Sequence, residues 1–568
     1  MATTLGERTA QRSDRYRWVA LTNTTAALFM SSLDSSIVLI AMPAIFRGIN
    51  LDPLAPGSIG FLLWMIMGYR LVQSVFVVTL GRLGDMVGRV RIYNAGFAVF
   101  TAASVMLSFD PAHGSSGALW LIGWRLVQAL GGAMLTANST AILTDAFPAE
   151  RRGFALGVNQ VAAMAGTFIG LVLGGVLVIW DWRAVFWVNV PVGLFGTWWA
   201  YRRLRETGVR RPGRVDWWGN ITFAVGLSAL LLAVTDGLQP YRGHAMGWAN
   251  PVVIAELAGG GLLLVAFVLI ERRVAEPMFR LGLFSSRAFV AGNVASFLTR
   301  LAQGGLQFML IIWLQGIWLP LHGYDYADTP LWAGIFMLPL TAGFLVAGPV
   351  SGWLSDRFGA RAFATGGALV FAVSFGGLML LPVDFPYWLF AVLIAANGIG
   401  VGMFSAPNSS SIMSSVPAGD RGVASGMRST FQNCGTSLSI SVFFSLMIAG
   451  LAGTLPHALS ANLQAQGVPG TVAQQIGALP PVSSLFAAIL GVNPLQHLLA
   501  PSGALAALPP ENRDVITGRE FFPQLITAPF HHGLVVVFGV SAVLAIVAAV
   551  ASALRGRPER RFSSALPG

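Results

Sequence analysis

Residues 81–88 read Gly-Arg-Leu-Gly-Asp-Met-Val-Gly, and residues 352–359 read Gly-Trp-Leu-Ser-Asp-Arg-Phe-Gly, sharing Gly-x-Leu-x-Asp-x-x-Gly at a distance of 271 positions. Two further pairs keep nearly the same offset. Asn138 to Ile142 returns as Asn408 to Ile412, and Pro148 to Gly157 returns as Pro417 to Gly426 with Pro-Ala-x-x-Arg-Gly-x-Ala-x-Gly in common. One such match is weak; three in order at constant spacing mark an internal duplication.

The duplicated unit lies in a membrane. Of 568 residues, 55% are hydrophobic and 10% charged, which leaves too little polar surface for a soluble chain. A bilayer core is crossed by about 20 apolar residues in a helix. Fourteen stretches suffice: 18–45, 58–80, 92–108, 118–143, 154–180, 184–201, 217–237, 251–270, 288–318, 329–354, 362–381, 386–412, 423–450 and 533–554. The second aligns with the tenth and the fourth with the twelfth, so the period is eight helices. The expected fold class is an all-α polytopic membrane protein with 14 transmembrane helices arranged six, two and six. Its parts are a tail (1–17), a six-helix bundle (18–203), an inserted helix pair (204–285), five helices of the second bundle (286–451), a long loop (452–532), the last helix (533–556) and a C-terminal tail (557–568). Two bundles related by an axis along the membrane normal are the layout of a rocking secondary transporter.

The formal net charge of +11 comes from arginine alone, because the chain has no lysine. A P-loop needs a lysine beside its last glycine and Schiff-base chemistry needs an amine, so an ATP-driven pump and a covalent lysine enzyme are excluded within this chain. No enzyme activity and no cofactor are expected. The single cysteine, Cys434, forms no intrachain disulfide, and the histidines lack ligand spacing, so no metal is expected. The N-terminal tail, the even-numbered connections and the C-terminal tail hold 26 arginines, against five in the opposite loops. By the positive-inside rule both termini are cytoplasmic, in a multi-pass cell-membrane protein. The basic face, with Arg202, Arg203 and Arg205, suits anionic lipid headgroups rather than nucleic acid.

Charges within the apolar stretches include Asp34, Arg70, Arg125, Glu256, Arg300 and Arg428. Facing lipid, each costs several kcal/mol, so such groups turn inward and commonly mark pathways. Helical spacing puts Arg125 with Gln128, Arg300 with Gln303 and Gln307, and Arg428 with Gln432 on common faces. These residues, with Asn138 and Asn408, are expected to line the substrate cavity. Buried interhelical hydrogen bonds are the alternative for any single amide. Asp34 is the one carboxylate at this depth in the two bundles, and so the group there able to carry a proton. An Asp34–Arg125 contact is either a toggle between paired and protonated states or a permanent tie between two helices. Arg excess inside the membrane favours neutral, zwitterionic or anionic cargo over lipophilic cations.

The duplicated turns carry Gly81, Gly84, Asp85, Gly88 and Arg89, and again Gly352, Asp356 and Gly359. They read as conformational latches or as tight turns that fix topology. Gly166, Gly170, Gly174 and Gly175 give the fifth helix a smooth packing face. The loop from Thr454 to His531 is apolar, and Val482 to Leu499 suits a surface or re-entrant helix, serving as a cap or a gate.

Together these motifs resemble the major facilitator superfamily, and within it the fourteen-helix drug:proton antiporter family, over nearly the whole chain. Gly81 to Arg91 is similar to the superfamily's loop signature. Leu33 to Val38 with Ala41 and Pro43 resembles the first-helix motif, and Arg125, Gln128, Gly131 and Gly132 the fourth-helix motif. Trp182, Arg183, Phe186, Asn189, Pro191 and Gly193 resemble the sixth-helix entry. The resemblance implies the major facilitator fold, Arg125 assisting proton transfer, Asp34 in the coupling region, and Asp85 with Arg89 stabilising a closed cytoplasmic gate. One departure stands out: the fifth-helix antiporter motif has Gly-Pro where this chain has Gly170-Leu171, so the kink-forming proline is absent.

The expected function is export of small amphipathic or hydrophobic compounds by proton antiport with alternating access, in the manner of multidrug efflux. The partners are a small-molecule substrate, protons and membrane lipids, and the chain is expected to be monomeric. A lipid or cell-envelope precursor transporter of the same fold is one alternative, and a non-transporting membrane sensor or scaffold is another.

Overall fold

The structure is a computed structural model. It describes residues 2–555 apart from 52–57, 149–151, 207–215, 243, 245, 275, 276, 278, 327, 418–420, 479, 480, 482–492, 501 and 519. The first bundle holds α1 (Ala2–Gly48), α2 (Ser58–Val87), α3 (Arg89–Ser108), α4 (Gly114–Ala146), α5 (Arg152–Trp180) and α6 (Asn189–Arg203). The inserted pair is α7 (Trp217–Gly237) and α8 (Pro251–Glu271). The second bundle holds α9 (Arg287–Trp313), α10 (Leu338–Phe358), α11 (Ala360–Met379), α12 (Tyr387–Ser414), α13 (Arg421–Ala465) and α14 (Phe521–Ala553).

Among the described residues, thirteen helices are long and apolar enough to cross a membrane. The remaining expected crossing is divided into Ala184–Trp187 and α6. Pro191 lacks the N–H that would bond the Trp187 carbonyl, which opens the ladder there. Val188, between the pieces, keeps helical angles (φ −60°, ψ −28°), so the chain continues in nearly the same direction. Other ends are set by local chemistry. Asp216 caps α7 through the Gly219 N–H, Asn250 caps α8 ahead of Pro251, and Ser286 caps α9. Gly88 (φ +130°) and Gly359 (φ +92°) make the turns joining α2 to α3 and α10 to α11, in backbone regions that side-chain-bearing residues avoid.

Packing repeats with the sequence. α1 packs on α5 and α9 on α13; α2 on α4 and α10 on α12; α3 on α4 and α11 on α12; α3 on α6 and α11 on α14. The same device recurs at α3–α4 and α11–α12. A Cβ on Gly131 would meet the Phe100 amide at 2.6 Å and the Gly96 carbonyl at 2.8 Å; one on Gly400 would meet the Phe371 amide and the Gly367 carbonyl at the same distances. Both crossings therefore bring backbone against backbone.

The largest apolar cluster joins the two bundles at the end remote from the chain termini. Ile40, Met42, Ile45 and Phe46 of α1 join Leu306, Leu310, Trp313 and the π turn Leu314–Trp318 in one cluster, at the end remote from the chain termini. Here Gln315 Nε2 donates to the Ile40 carbonyl (3.4 Å), and α5 packs on Thr329–Phe336, the helix before α10. Toward the terminal end, the Tyr93–Phe97–Phe100 cluster belongs to the first bundle and the Ala295–Ala364–Phe404 cluster to the second, and a smaller cluster links Val75 of α2 with Phe223 and Phe267 of the inserted pair and Phe289, Ile412 and Met427 of the second bundle. The bundles are thus sealed at the remote end.

The long loop is shorter than 452–532, because α13 runs on to Ala465 and α14 starts at Phe521. Leu455, Leu459 and Leu463, four residues apart, are buried and pack with Val468, Ile476, Leu495, Leu499 and Ile516. This extension has polar residues between its leucines and so fails the hydropathy test that set the sequence boundary. The expected helix at Val482 to Leu499 lies largely outside the described residues; Leu495–Leu499 is helical.

Candidate functional site

Asp34 sits midway along α1 with no exposed surface. Burial of a carboxylate demands partners, and two helices supply three of them. Arg125 Nη1 of α4 donates to Oδ2 at 2.6 Å, Gln128 Nε2 of the same helix to Oδ1 at 3.0 Å, and Asn189 Nδ2, the first residue of α6, to Oδ1 at 2.7 Å. Arg125 is itself 3% exposed, donates to Gln128 Oε1 (2.6 Å) and stacks over the Tyr69 ring at 4.3 Å. Gln128 Nε2 also donates to Ser104 Oγ of α3 (2.8 Å). Around Tyr69, Gln73 Nε2 donates to the hydroxyl at 3.2 Å, and Ser31 lies 3.5 Å from it. The first bundle therefore carries a buried ion pair inside a shell of neutral donors.

Three arginines on α2, α9 and α13 are arranged differently. Arg70, Arg300 and Arg428 lie deep in the protein yet are only partly buried, so they border internal space. Arg70 Nη2 donates to Ser35 Oγ (2.7 Å), Arg300 Nη1 to Gln303 Oε1 (3.1 Å) and Arg428 Nη1 to Ser409 Oγ. Gln307 and Gln432 are likewise partly buried on the same two helices as Arg300 and Arg428.

Three expected cavity residues are packed elsewhere. Gln128 is fully buried and holds Asp34 in place. Asn138, also fully buried, donates to the Leu80 (3.4 Å) and Met134 (2.9 Å) carbonyls, tying α4 to α2. Asn408, its repeat partner, donates to the Gly292 carbonyl (3.1 Å) and Ser296 Oγ (2.6 Å), tying α12 to α9. The difference has a local cause. A Cβ at Gly84 would lie 1.9 Å from Asn138 Oδ1, and the second repeat has Ser355 in that place.

In the first turn, Arg89 is held by Asp85 (2.7 Å) and by Asp145 at the end of α4 (2.6 Å). All three belong to the first bundle, and Arg89 reaches toward the Ala141 carbonyl as well. Gly81 and Gly352 are placed alike: a Cβ on either would meet only an alanine methyl at 3.6 Å, Ala137 and Ala406 respectively. The Asp356 side chain lies outside the described residues. These charges are partly exposed, where ion pairs contribute about 0.2–1 kcal/mol. An Arg89→Gln/Asp145→Asn double-mutant cycle, read by thermal unfolding, is expected to show coupling of that order; strictly additive effects would remove Asp145 from the latch.

On α5, Gly166, Gly170 and Gly174 let the helix lie against the Phe29, Leu33 and Ile37 carbonyls of α1. Gly175 faces the other bundle: a Cβ there would lie 2.4 Å from Leu331 Cα. Residues that the sequence reading had not placed at the site are Asn189, Ser104 and Tyr69 around Asp34, and Asp145 beside Arg89. Asn189, a polar residue opening an apolar stretch, was the most visible of them.

The profile of the Major Facilitator Superfamily matches residues 24–440. Multidrug resistance protein Stp of Mycobacterium tuberculosis (strain CDC 1551 / Oshkosh) is 31% identical over 78% of this chain and 78% of its own length. The tetracenomycin C resistance and export protein of Streptomyces glaucescens is 28% identical over 97% of this chain and 94% of its own. Among solved structures, a bacterial homologue of the human lysosomal transporter Spinster superposes with a TM-score of 0.54 at 16% identity, covering 94% of this chain and 97% of that one, which shows the shared fold. The repeat, the six-two-six helices and these matches agree: the chain is a multi-pass membrane transporter, not an enzyme, and belongs to the Major Facilitator Superfamily, grouping with its fourteen-helix drug:proton antiporter-type exporters.

Proposed function

We propose that this transporter exports small amphipathic compounds in exchange for protons, its termini in the cytoplasm and its bundles rocking about the membrane midplane. The observation that carries this reading is the Asp34–Arg125 pair, caged by neutral donors from α4 and α6 and fully withdrawn from solvent. Protonating Asp34 removes the charge that holds Arg125, so the pair has two electrostatic states, and a proton selects between them. The seal at the remote end then corresponds to a cytoplasm-facing state in which cargo enters. Arg70, Arg300, Gln303, Gln307, Arg428 and Gln432 form its polar surface.

The apolar loop gives little separate support to lipid transport, since Val468, Ile476, Leu495, Leu499 and Ile516 are buried in the cluster that holds the extension of α13. The test is proton release from purified protein in sealed vesicles, monitored with a pH dye inside while a panel of amphipathic dyes is added. Cargo-dependent proton movement that stops with an uncoupler is expected. Cargo flux without proton movement would overturn antiport.

A further inference from the structure

Asp34 has its cation, but among the described residues Arg300 and Arg428 have no anion. Among the described residues neither has a carboxylate within ion-pair distance, and each is met only by neutral oxygen: Gln303 Oε1 for Arg300 and Ser409 Oγ for Arg428. Arg428 Nε is buried with no hydrogen-bond partner. Arg300 is within electrostatic reach of both Arg428 and Arg70 of α2, and one turn beyond Arg70 the bundles touch, Ser74 Oγ lying 3.2 Å from Ser437 Oγ of α13. Guanidinium charges brought together at membrane depth repel unless something negative joins them. The walls beside them are apolar: Phe297, one turn before Arg300, and Met427 and Cys434 of α13 belong to one hydrophobic cluster.

We infer that Arg300 and Arg428, with Arg70 across the gap, bind the anionic group of the cargo, a carboxylate, phenolate or similar oxyanion carried on an otherwise apolar molecule. The planar, always-charged guanidinium suits an oxyanion, and two of them fix its orientation. The inference rests on the transport reading for the central pathway and leaves proton coupling aside. It also divides the labour between bundles: the first holds the proton-carrying pair, and the second holds the cargo's charge.

The experiment measures binding, not transport. Full-length protein in phosphatidylcholine nanodiscs is titrated with two xanthene dyes, anionic fluorescein and cationic rhodamine 6G, by fluorescence anisotropy, with empty nanodiscs subtracted. Fluorescein is expected to bind at least about tenfold more tightly, with the preference shrinking as salt rises. In the Arg300→Gln/Arg428→Gln variant its affinity should fall about tenfold or more while rhodamine 6G binding holds or improves. Arg300→Lys, which keeps the charge but loses the planar fork, should retain part of the preference. Equal affinity of the wild-type protein for both dyes, a cation preference, or a fluorescein affinity indifferent to the double variant would overturn the assignment. Because the wild-type comparison needs no substitution, a variant that fails to fold does not spare it. An anion preference without proton release in vesicles would leave this inference standing and sink antiport alone.

Discussion

Asp34→Asn is expected to reduce cargo-driven proton movement in vesicles to background, a loss of about 100-fold or more, as for other removals of a proton-transferring group. The amide keeps the carboxylate's shape and still accepts from Asn189 and Gln128, but it cannot ionise. Its cost to folding is a separate matter. The substitution leaves Arg125, 3% exposed, without its counter-charge, and breaking a buried pair on one side costs about 3–5 kcal/mol. The double variant Asp34→Asn/Arg125→Gln removes both charges and should recover much of the melting temperature. The two readings of the pair part here. If Asp34 and Arg125 merely tie α1 to α4, the double variant regains transport along with stability. If they couple protons, it melts like the wild-type protein and stays silent in the proton assay. Loss of pH dependence in any residual exchange by the double variant would add to the second reading.

The fold was readable because membranes make sequence literal. Hydropathy locates helices, and motif offsets give the period of eight that the helix packing repeats. Asp34 and Arg125 stood out for the same reason, as charges where charge is costly. What escaped was neutral or distant. Ser104 and Asn189 are ordinary residues until the fold puts them 2.8 Å from Gln128 and 2.7 Å from Asp34. Asp145 reaches Arg89 across 56 positions of chain. The extension of α13 escaped because its leucines face protein rather than lipid, so their burial leaves no long apolar run. The departures from the repeat are also informative. Asn397 donates to Ser374 at 2.9 Å, the counterpart of Gln128 with Ser104, yet Ile394 occupies the place of Arg125 in that repeat. The polar contact is present in both bundles, and the ion pair in the first.

Gly175→Val is expected to block transport at least tenfold while leaving both bundles folded, because it acts where the bundles meet and not within either one. The fifth helix lacks its family's proline, and glycines let the backbones meet: a Cβ on Gly175 would lie 2.4 Å from Leu331 Cα, and one on Gly334 2.8 Å from the Leu171 carbonyl oxygen. A Cβ 2.4 Å from Leu331 Cα is far inside the carbon–carbon contact distance of about 3.5–4.0 Å, and neither atom belongs to a side chain that can swing away. The two helices must separate. Overpacking of this kind costs about 1–3 kcal/mol, enough to shift a two-state equilibrium about 5- to 150-fold away from the sealed remote end. The readout is a cysteine at Gln315, introduced by Gln315→Cys in a Cys434→Ser background. Gln315 is 3% exposed within the seal, bonded to the Ile40 carbonyl, and should be shielded from a membrane-impermeant maleimide added on the remote side. With Gly175→Val it should label several-fold faster, whereas Gly376→Val, where an added Cβ meets nothing within 4 Å, should leave labelling unchanged. Equal labelling with and without Gly175→Val would mean that the α5 contact does not govern closure, and that the glycine face serves packing within the first bundle alone.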